Sequence, residues 1–245
     1  PVGQIGNQPG GRGRGNLPSS MVREDLLWSP AALGEGEPAY LQSAIIREGV
    51  KGNAFHFDDT NRGLLERARQ EPSPNCDDRP QGVEPDLIVV HGISLPPGEF
   101  GGPWIDQLFT NALPPDVHPY FPEVANLQVS SHLLIRRSGE IVQFVPFQRR
   151  AWHAGVSSWA GRERCNDFSI GIELEGVDHS PYESTQYAML ARVIAVLCRS
   201  YPHLTPDRVV GHSDIAPGRK SDPGPAFDWP RLRSLVQFEL EVAPA

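Results

Sequence analysis

The stretch F-S-I-G-I-E-L-E-G, residues 168–176, decides the fold class. Alternation with a period of two places Phe168, Ile170, Ile172 and Leu174 on one side of an extended chain. Ser169, Gly171, Glu173 and Glu175 fall on the other. A helix would scatter both sets around its axis, so the stretch reads as a β-strand with two chemically different faces. Two carboxylates on one face of so apolar a strand need a reason. Either that face is solvated, as one face of an antiparallel sheet often is, or it borders a cleft where Glu173 accepts a proton from an attacking water.

Working outward, Asp86–Val90 is a continuous apolar, β-branched run that ends at His91, the pattern of a strand buried on both faces. Before it, Leu64–Arg69 reads as a short helix and Pro72–Pro85 as a proline-rich loop. After it come a Gly/Pro-rich loop over Ile93–Pro103, a short helix over Trp104–Ala112 and a second loop over Leu113–Pro122. Val129–Arg137 and Ile141–Val145 flank Ser138-Gly139, which signals a hairpin. Ser184–Tyr201 is the clearest helix, with Leu190, Val193, Ile194 and Leu197 on one face and Ser184 as its N-cap. Arg208–Val210 is a short strand leading to His212, Gly218–Phe227 a loop, and Trp229–Leu240 a closing helix with Pro230 in its first turn.

Strands and helices therefore intermix around one core, without an internal repeat. The predicted fold is α/β: a single domain over residues 53–245, with a mixed central β-sheet flanked by helices. Residues 1–20, PVGQIGNQPGGRGRGNLPSS, hold almost nothing that could be buried, and Val22–Gly52 carries no sustained period. Residues 1–52 are thus read as a disordered or mis-started extension, with Met21 a candidate internal start.

Composition narrows the function classes. Charged residues make up 21% and hydrophobic residues 39% of the 245, the balance of a soluble globular chain. The net charge of −8 argues against a nucleic-acid binder. Three cysteines, Cys76, Cys165 and Cys198, with no C-x-x-C pair, give neither a disulfide framework nor a thiolate zinc site; they suit a reducing compartment. No apolar run approaches the ~20 residues that span a bilayer. No charged start followed by an apolar segment and a cleavage site is present, so a cytoplasmic protein that binds no membrane is expected.

Chemistry is concentrated where strands run into irregular chain. His91 and His212 both stand at such junctions, the position where open α/β sheets place their sites. Asp222 follows His212 across a Gly/Pro-rich loop able to fold back beside the imidazole. Two histidines and a carboxylate make a catalytic zinc set with a position left open. On the residues alone a structural role is the commoner reading for each histidine. Asp214 also competes with Asp222, either as ligand or as the group that orients a ligand histidine. Lys220, carried near the same place, is either a solvated loop lysine or a stabiliser of a developing oxyanion. The segment A-W-H-A-G, residues 151–155, holds Trp152 and His153, suited to a sugar ring or to a pocket wall. With Arg164, Asn166 and Arg219 they form the candidate substrate pocket, the arginines being suited to carboxylates.

The stretches PSPN (72–75), HGISLPPGEFGG (91–102), LIRRSGEIVQFVPF (134–147), RAWHAGVSSWAGRERCNDFSIGIELEG (150–176) and GHSDIAPGRKSDPGPAFDW (211–229) fall into one known order. The chain from about Ser73 to Val236 resembles the AmpD-type N-acetylmuramoyl-L-alanine amidases, whose fold is shared with phage lysozyme-type amidases and peptidoglycan recognition proteins. The resemblance implies one zinc ion per chain on His91, His212 and Asp222, with Glu173 as acid/base and Lys220 as oxyanion stabiliser, and it favours Asp222 over Asp214. It implies a cytoplasmic enzyme acting on 1,6-anhydro-muropeptides in cell-wall recycling, which lowers the fragments that induce β-lactamase; a monomer is expected. Gly92 departs from the family's usual Asn after the histidine, and residues 1–52 have no counterpart.

Two other classes compete. A wall-binding module without activity would lack a metal ligand, whereas all three are present. A secreted amidase acting on intact wall would call for a signal segment or wall-binding repeats, and neither is visible in these residues. The reading of residues 1–52 as an extension predicts that a chain starting at Asn53 keeps its melting temperature and activity. A loss of several degrees would mean that the extension packs on the domain.

Overall fold

The computed structural model describes residues 63–242; the predicted extension lies outside them. Six strands form the central sheet in the spatial order β1 (Arg69–Gln70), β5 (Ile141–Gln143), β4 (Leu133–Ile135), β9 (Ser169–Glu175), β3 (Leu87–Ile93) and β10 (Val209–Gly211). Neighbours run parallel except β4 and β5, the antiparallel hairpin expected around Ser138-Gly139. Two small antiparallel pairs flank it: β2 (Cys76–Asp78) with β6 (Arg149–Ala151), and β7 (Ser158–Trp159) with β8 (Arg162–Glu163). The helices are α1 (Trp104–Phe109), α2 (Phe121–Val124), α3 (Ser184–Ser200), α4 (His212–Ile215) and α5 (Trp229–Val242). No helix of the described residues is long and apolar enough to cross a membrane.

The parallel register sorts the side chains. Ile88 and Val90 of β3, Ile170, Ile172 and Leu174 of β9 and Leu133 and Ile135 of β4 pack under α3 and α5 in one apolar cluster. The opposite face carries Leu134, Val142 and Phe144 against α1, and Leu87, Val89 and Val210 against Ile215 of α4. Both faces are covered, which is why β3 reads as a near-continuous apolar run. Between the two clusters of the second face lies the polar side of β9. Glu173 and Glu175 are 9% and 2% exposed, so the solvated-face alternative is excluded.

Several boundaries differ from the sequence expectation. Leu64–Arg69 is not a helix. It makes a single turn closed by the Ala68 N–H on the Leu65 carbonyl, and Arg69–Gln70 then pairs with Val142–Gln143, a long-range pairing that overrides local helix preference. Phe168 does not share a face with Ile170. A 3₁₀ turn over Cys165–Asp167 ends at Phe168, so alternation begins only at Ser169 and Phe168 packs beside Leu87. The loop over Leu113–Pro122 runs into the one-turn helix α2. The cap of α3 is Glu183 rather than Ser184, with the Glu183 N–H donating to Gln186 Oε1 at 2.9 Å. Gln186, fully buried, donates to the carbonyls of Ile135 and Glu175 and ties the helix start to the sheet.

Glu175 anchors the chain around it. Oε1 accepts from the Gly101 N–H and from Arg136 Nη1, and Oε2 accepts from the Arg137 N–H. Arg136 in turn pairs with Asp106 of α1 at 2.7 Å. Glu175→Ala leaves a buried guanidinium short of one partner, so it should lower unfolding free energy by about 3 kcal/mol. Denaturant titration checks this, and a loss below ~1 kcal/mol would make the pair dispensable.

Candidate metal centre and catalytic groove

The register of the sheet assembles the site. Leu134, Glu173 and His91 are direct partners across β4, β9 and β3, hence on the same face. Gly211 of β10 pairs with Val90, so His212, the next residue, continues the same row beside His91. Here β10 gives way to α4, and Asp214 turns its carboxylate back to accept the Gly211 N–H at 2.7 Å. Asp214 is thus committed to the start of α4. The loop that follows folds back as its Gly/Pro content allows. The Ser213 N–H donates to the Asp222 carbonyl at 3.0 Å, and the Tyr182 hydroxyl holds the Pro223 carbonyl at 2.9 Å. Gly92 leaves room for this tie, because a Cβ there would stand 2.3 Å from the Tyr182 hydroxyl oxygen.

Three donor atoms converge. His91 Nδ1 and His212 Nδ1 are 2.9 Å apart, and Asp222 Oδ2 lies 3.3 Å from the first and 3.0 Å from the second. Ligands about 2.0–2.1 Å from a tetrahedral zinc stand about 3.3 Å from one another, so the triangle has nearly the dimensions such an ion requires. The chemistry fits as well. His212 Nε2 faces the Ala154 carbonyl at 3.3 Å. A carbonyl can only accept, so the ring proton sits on Nε2 and Nδ1 presents a lone pair. Burial pushes the His91 imidazolium down to about 4, leaving a neutral ring. Burial pushes the Asp222 carboxyl up, but the adjoining His212 and His91 side chains outweigh it and hold it well below the usual carboxylate range. Two imidazole nitrogens and a carboxylate oxygen form a donor set suited to zinc.

A groove of about 220 Å³ runs over this triangle, lined among others by Glu173, Lys220, Trp152 and His153. Glu173 Oε2 is buried and without a hydrogen-bond partner. Burial, then the Asp222 charge, push its carboxyl well above the ordinary value, against the pull of Lys220. A buried carboxylate aimed into a groove with no partner needs an explanation, and proton transfer is one. Lys220 is exposed on the same loop as Asp222.

The remaining candidates separate. Trp152 and His153 stand in the groove, whereas Arg164, Asn166 and Arg219 line a neighbouring cavity of about 600 Å³. Asn166 Oδ1 accepts the N–H groups of His153 and Ala154, at 3.1 and 2.8 Å. Arg219 Nη2 donates to the carbonyls of Ala154 and Val156, both at 2.7 Å. Arg164 pairs with Asp167 at 3.3 Å. Sequence reasoning missed the carbonyl of Ala154, since a backbone acceptor leaves no mark in residue type.

The family model described as N-acetylmuramoyl-L-alanine amidase matches residues 81–225. The 1,6-anhydro-N-acetylmuramyl-L-alanine amidase AmpD of Salmonella typhimurium (strain SL1344) is 63% identical over 176 residues, 72% of this chain and 94% of that protein. AmpD of Escherichia coli (strain K12) is 61% identical over 178 residues, 73% of this chain and 97% of that one. A crystal structure of a selenomethionine AmpD derivative superimposes with a TM-score of 0.70 at 61% identity, covering 72% of this chain and 98% of its own. The mixed sheet, the covered faces and the groove thus coincide with a match spanning most of the described residues: the chain belongs to the N-acetylmuramoyl-L-alanine amidase family.

Proposed function

We propose that this amidase is zinc-dependent and hydrolyses the lactyl–L-alanine amide of 1,6-anhydro-muropeptides in cell-wall recycling. The observation that carries the reading is the triangle of His91 Nδ1, His212 Nδ1 and Asp222 Oδ2, with the unpartnered Glu173 carboxylate one strand away. The anhydro-sugar preference rests on the names of the AmpD relatives. A cytoplasmic setting is supported by three free cysteines, Cys76, Cys165 and Cys198. In that setting the enzyme removes wall fragments that induce β-lactamase.

Zinc, when bound by His91, His212 and Asp222, supplies Lewis acidity that polarises the scissile carbonyl and makes water a better nucleophile. Glu173 takes the proton of the attacking water and returns it to the leaving alanine nitrogen. Its burial suits both halves of that task, because a carboxyl with raised proton affinity accepts a proton and still releases it. The Lys220 ammonium stabilises the negative charge that develops on the carbonyl oxygen. Trp152 offers its ring as a wall against the sugar, and Leu127 and Val129 add apolar lining to the same groove.

Metal analysis tests the centre. Wild type should carry about one zinc per chain, and Asp222→Ala should lose metal and activity together. Cys165→Ser and Cys198→Ser should keep full occupancy, and a metal-free serine variant would displace the ligand assignment.

Kinetics test the acid/base role separately. Glu173→Gln should retain zinc and muropeptide affinity while kcat falls ~10²–10⁴-fold, the worth of a positioned general base. Lys220→Ala should lower kcat ~10²–10³-fold, again with zinc retained. Glu175→Gln should cost far less in kcat, because that carboxylate is turned to Arg136. A zinc-free Glu173→Gln enzyme would make Glu173 a ligand, and a fully active one would make it a bystander.

A further inference from the structure

His153 lies in the groove, yet both of its ring nitrogens are already engaged by the protein. Its Nδ1 is 2.9 Å from His91 Nε2, and its Nε2 is 3.1 Å from Ser169 Oγ. Ser169 Oγ stands 2.6 Å from the Cys165 carbonyl oxygen. Two oxygens at that separation need a proton between them, and only the hydroxyl has one. Ser169 therefore donates to Cys165, and its oxygen is left to accept from His153 Nε2–H. With that proton fixed on Nε2, His153 Nδ1 is an acceptor, and His91 must donate to it from Nε2. The lone pair of His91 is thereby directed through Nδ1 to the point where His212 and Asp222 also converge.

The surroundings are shaped for this ring. A Cβ on Gly171 would lie 2.5 Å from His153 Cγ, so the glycine of β9 is what lets the imidazole lie against the strand. The Gly171 backbone is pinned in turn, its N–H by His132 Nδ1 and its carbonyl by Ser131 Oγ. Asn166 holds the His153 N–H and Ser169 is fully buried, so neither end of the relay is free to drift.

We infer that His153, oriented by Ser169 and seated on Gly171, is a positioning residue that fixes the tautomer and ring angle of His91. It therefore sets metal affinity and is not a group that holds substrate. The inference rests on the zinc reading above. Outer hydrogen bonds of this kind are worth roughly 10–100-fold in metal affinity.

The test is zinc affinity by chelator competition on the full chain, beside the melting temperature of the chelated protein. The variants are His153→Phe, His153→Asn and Ser169→Ala, with wild type and Asp222→Ala alongside. His153→Phe fills the space without an acceptor and should bind zinc ~10–100-fold more weakly, with the metal-free melting temperature near wild type. His153→Asn places an amide oxygen near the Nδ1 position and should recover most of the affinity, which a merely space-filling role would not explain. Ser169→Ala leaves the ring packed but its tautomer unfixed, and should weaken binding several-fold. It also decides the matter should the phenylalanine variant fail to fold. Wild-type affinity in His153→Phe or in Ser169→Ala overturns the relay, provided that Asp222→Ala has lost zinc. Zinc retained by Asp222→Ala, or absent from wild type, overturns instead the metal centre on which the relay depends.

Discussion

The parallel pairing of β3 with β9 and β10 is the constraint from which the site follows. Leu87 pairs with Ser169 and so on up to Ile93 with Glu175, which places His91 beside Glu173; the pairing of Gly211 with Val90 then brings His212 alongside. A slip of one residue would turn every side chain of a strand to the opposite face. His91 and Glu173 would enter the apolar layer under α3 and α5, and Val90 and Ile172 would leave it. Each of those aliphatic side chains stabilises the fold by about 1.5–3 kcal/mol through burial, so the core on one face holds the chemistry of the other in register.

What the sheet aligns, the loops finish. Asp222 reaches the histidines only because its own carbonyl is held by the Ser213 N–H and the following one by Tyr182. The short segment 153–154 orients the histidines from the far side, through the His153 ring for His91 and the Ala154 carbonyl for His212. Asn166 and Arg219 clamp that segment, which gives two of the candidate pocket residues a structural task beside the His91, His212 and Asp222 triangle. The three converging atoms are thus held in place by groups outside their triangle.

The same region holds the molecule's strained electrostatics. Glu175 is buried but fully engaged by Arg136 and two backbone N–H groups, whereas Glu173, two residues earlier on the same face, keeps one oxygen unpartnered. Identical side chains on one strand face therefore serve opposite ends. One locks α1 and the Gly-rich loop to the sheet, and the other lines the groove with an oxygen unpaired. A fold tolerates such a group where function requires it and compensates elsewhere.

The sequence by itself determined the strand character of residues 169–175, the buried strand over residues 87–90 (though not its continuation through His91 to Ile93), the hairpin at Ser138-Gly139 and the two long helices. These are written in periodicity and turn residues, which act within a few residues of the chain. It also drew attention to His91, His212 and Asp222 around strand ends and a Gly/Pro-rich loop, while their roles, with those of Glu173 and Lys220, came only from the family resemblance. It could not tell the strand-like fate of Arg69–Gln70 from a helix, nor separate Glu173 from Glu175. From the residues alone it could not place Asp222 rather than Asp214 beside the two histidines, or bring the His153 ring against His91. Those choices depend on partners far away in sequence: Val142 for Arg69, Arg136 for Glu175, Gly211 for the Asp214 carboxylate, and His91 for His153. Only the tertiary structure decides them, since the direction of a hydrogen bond is set by which donors and acceptors the folded chain brings within ~3 Å, and residue type alone does not encode that.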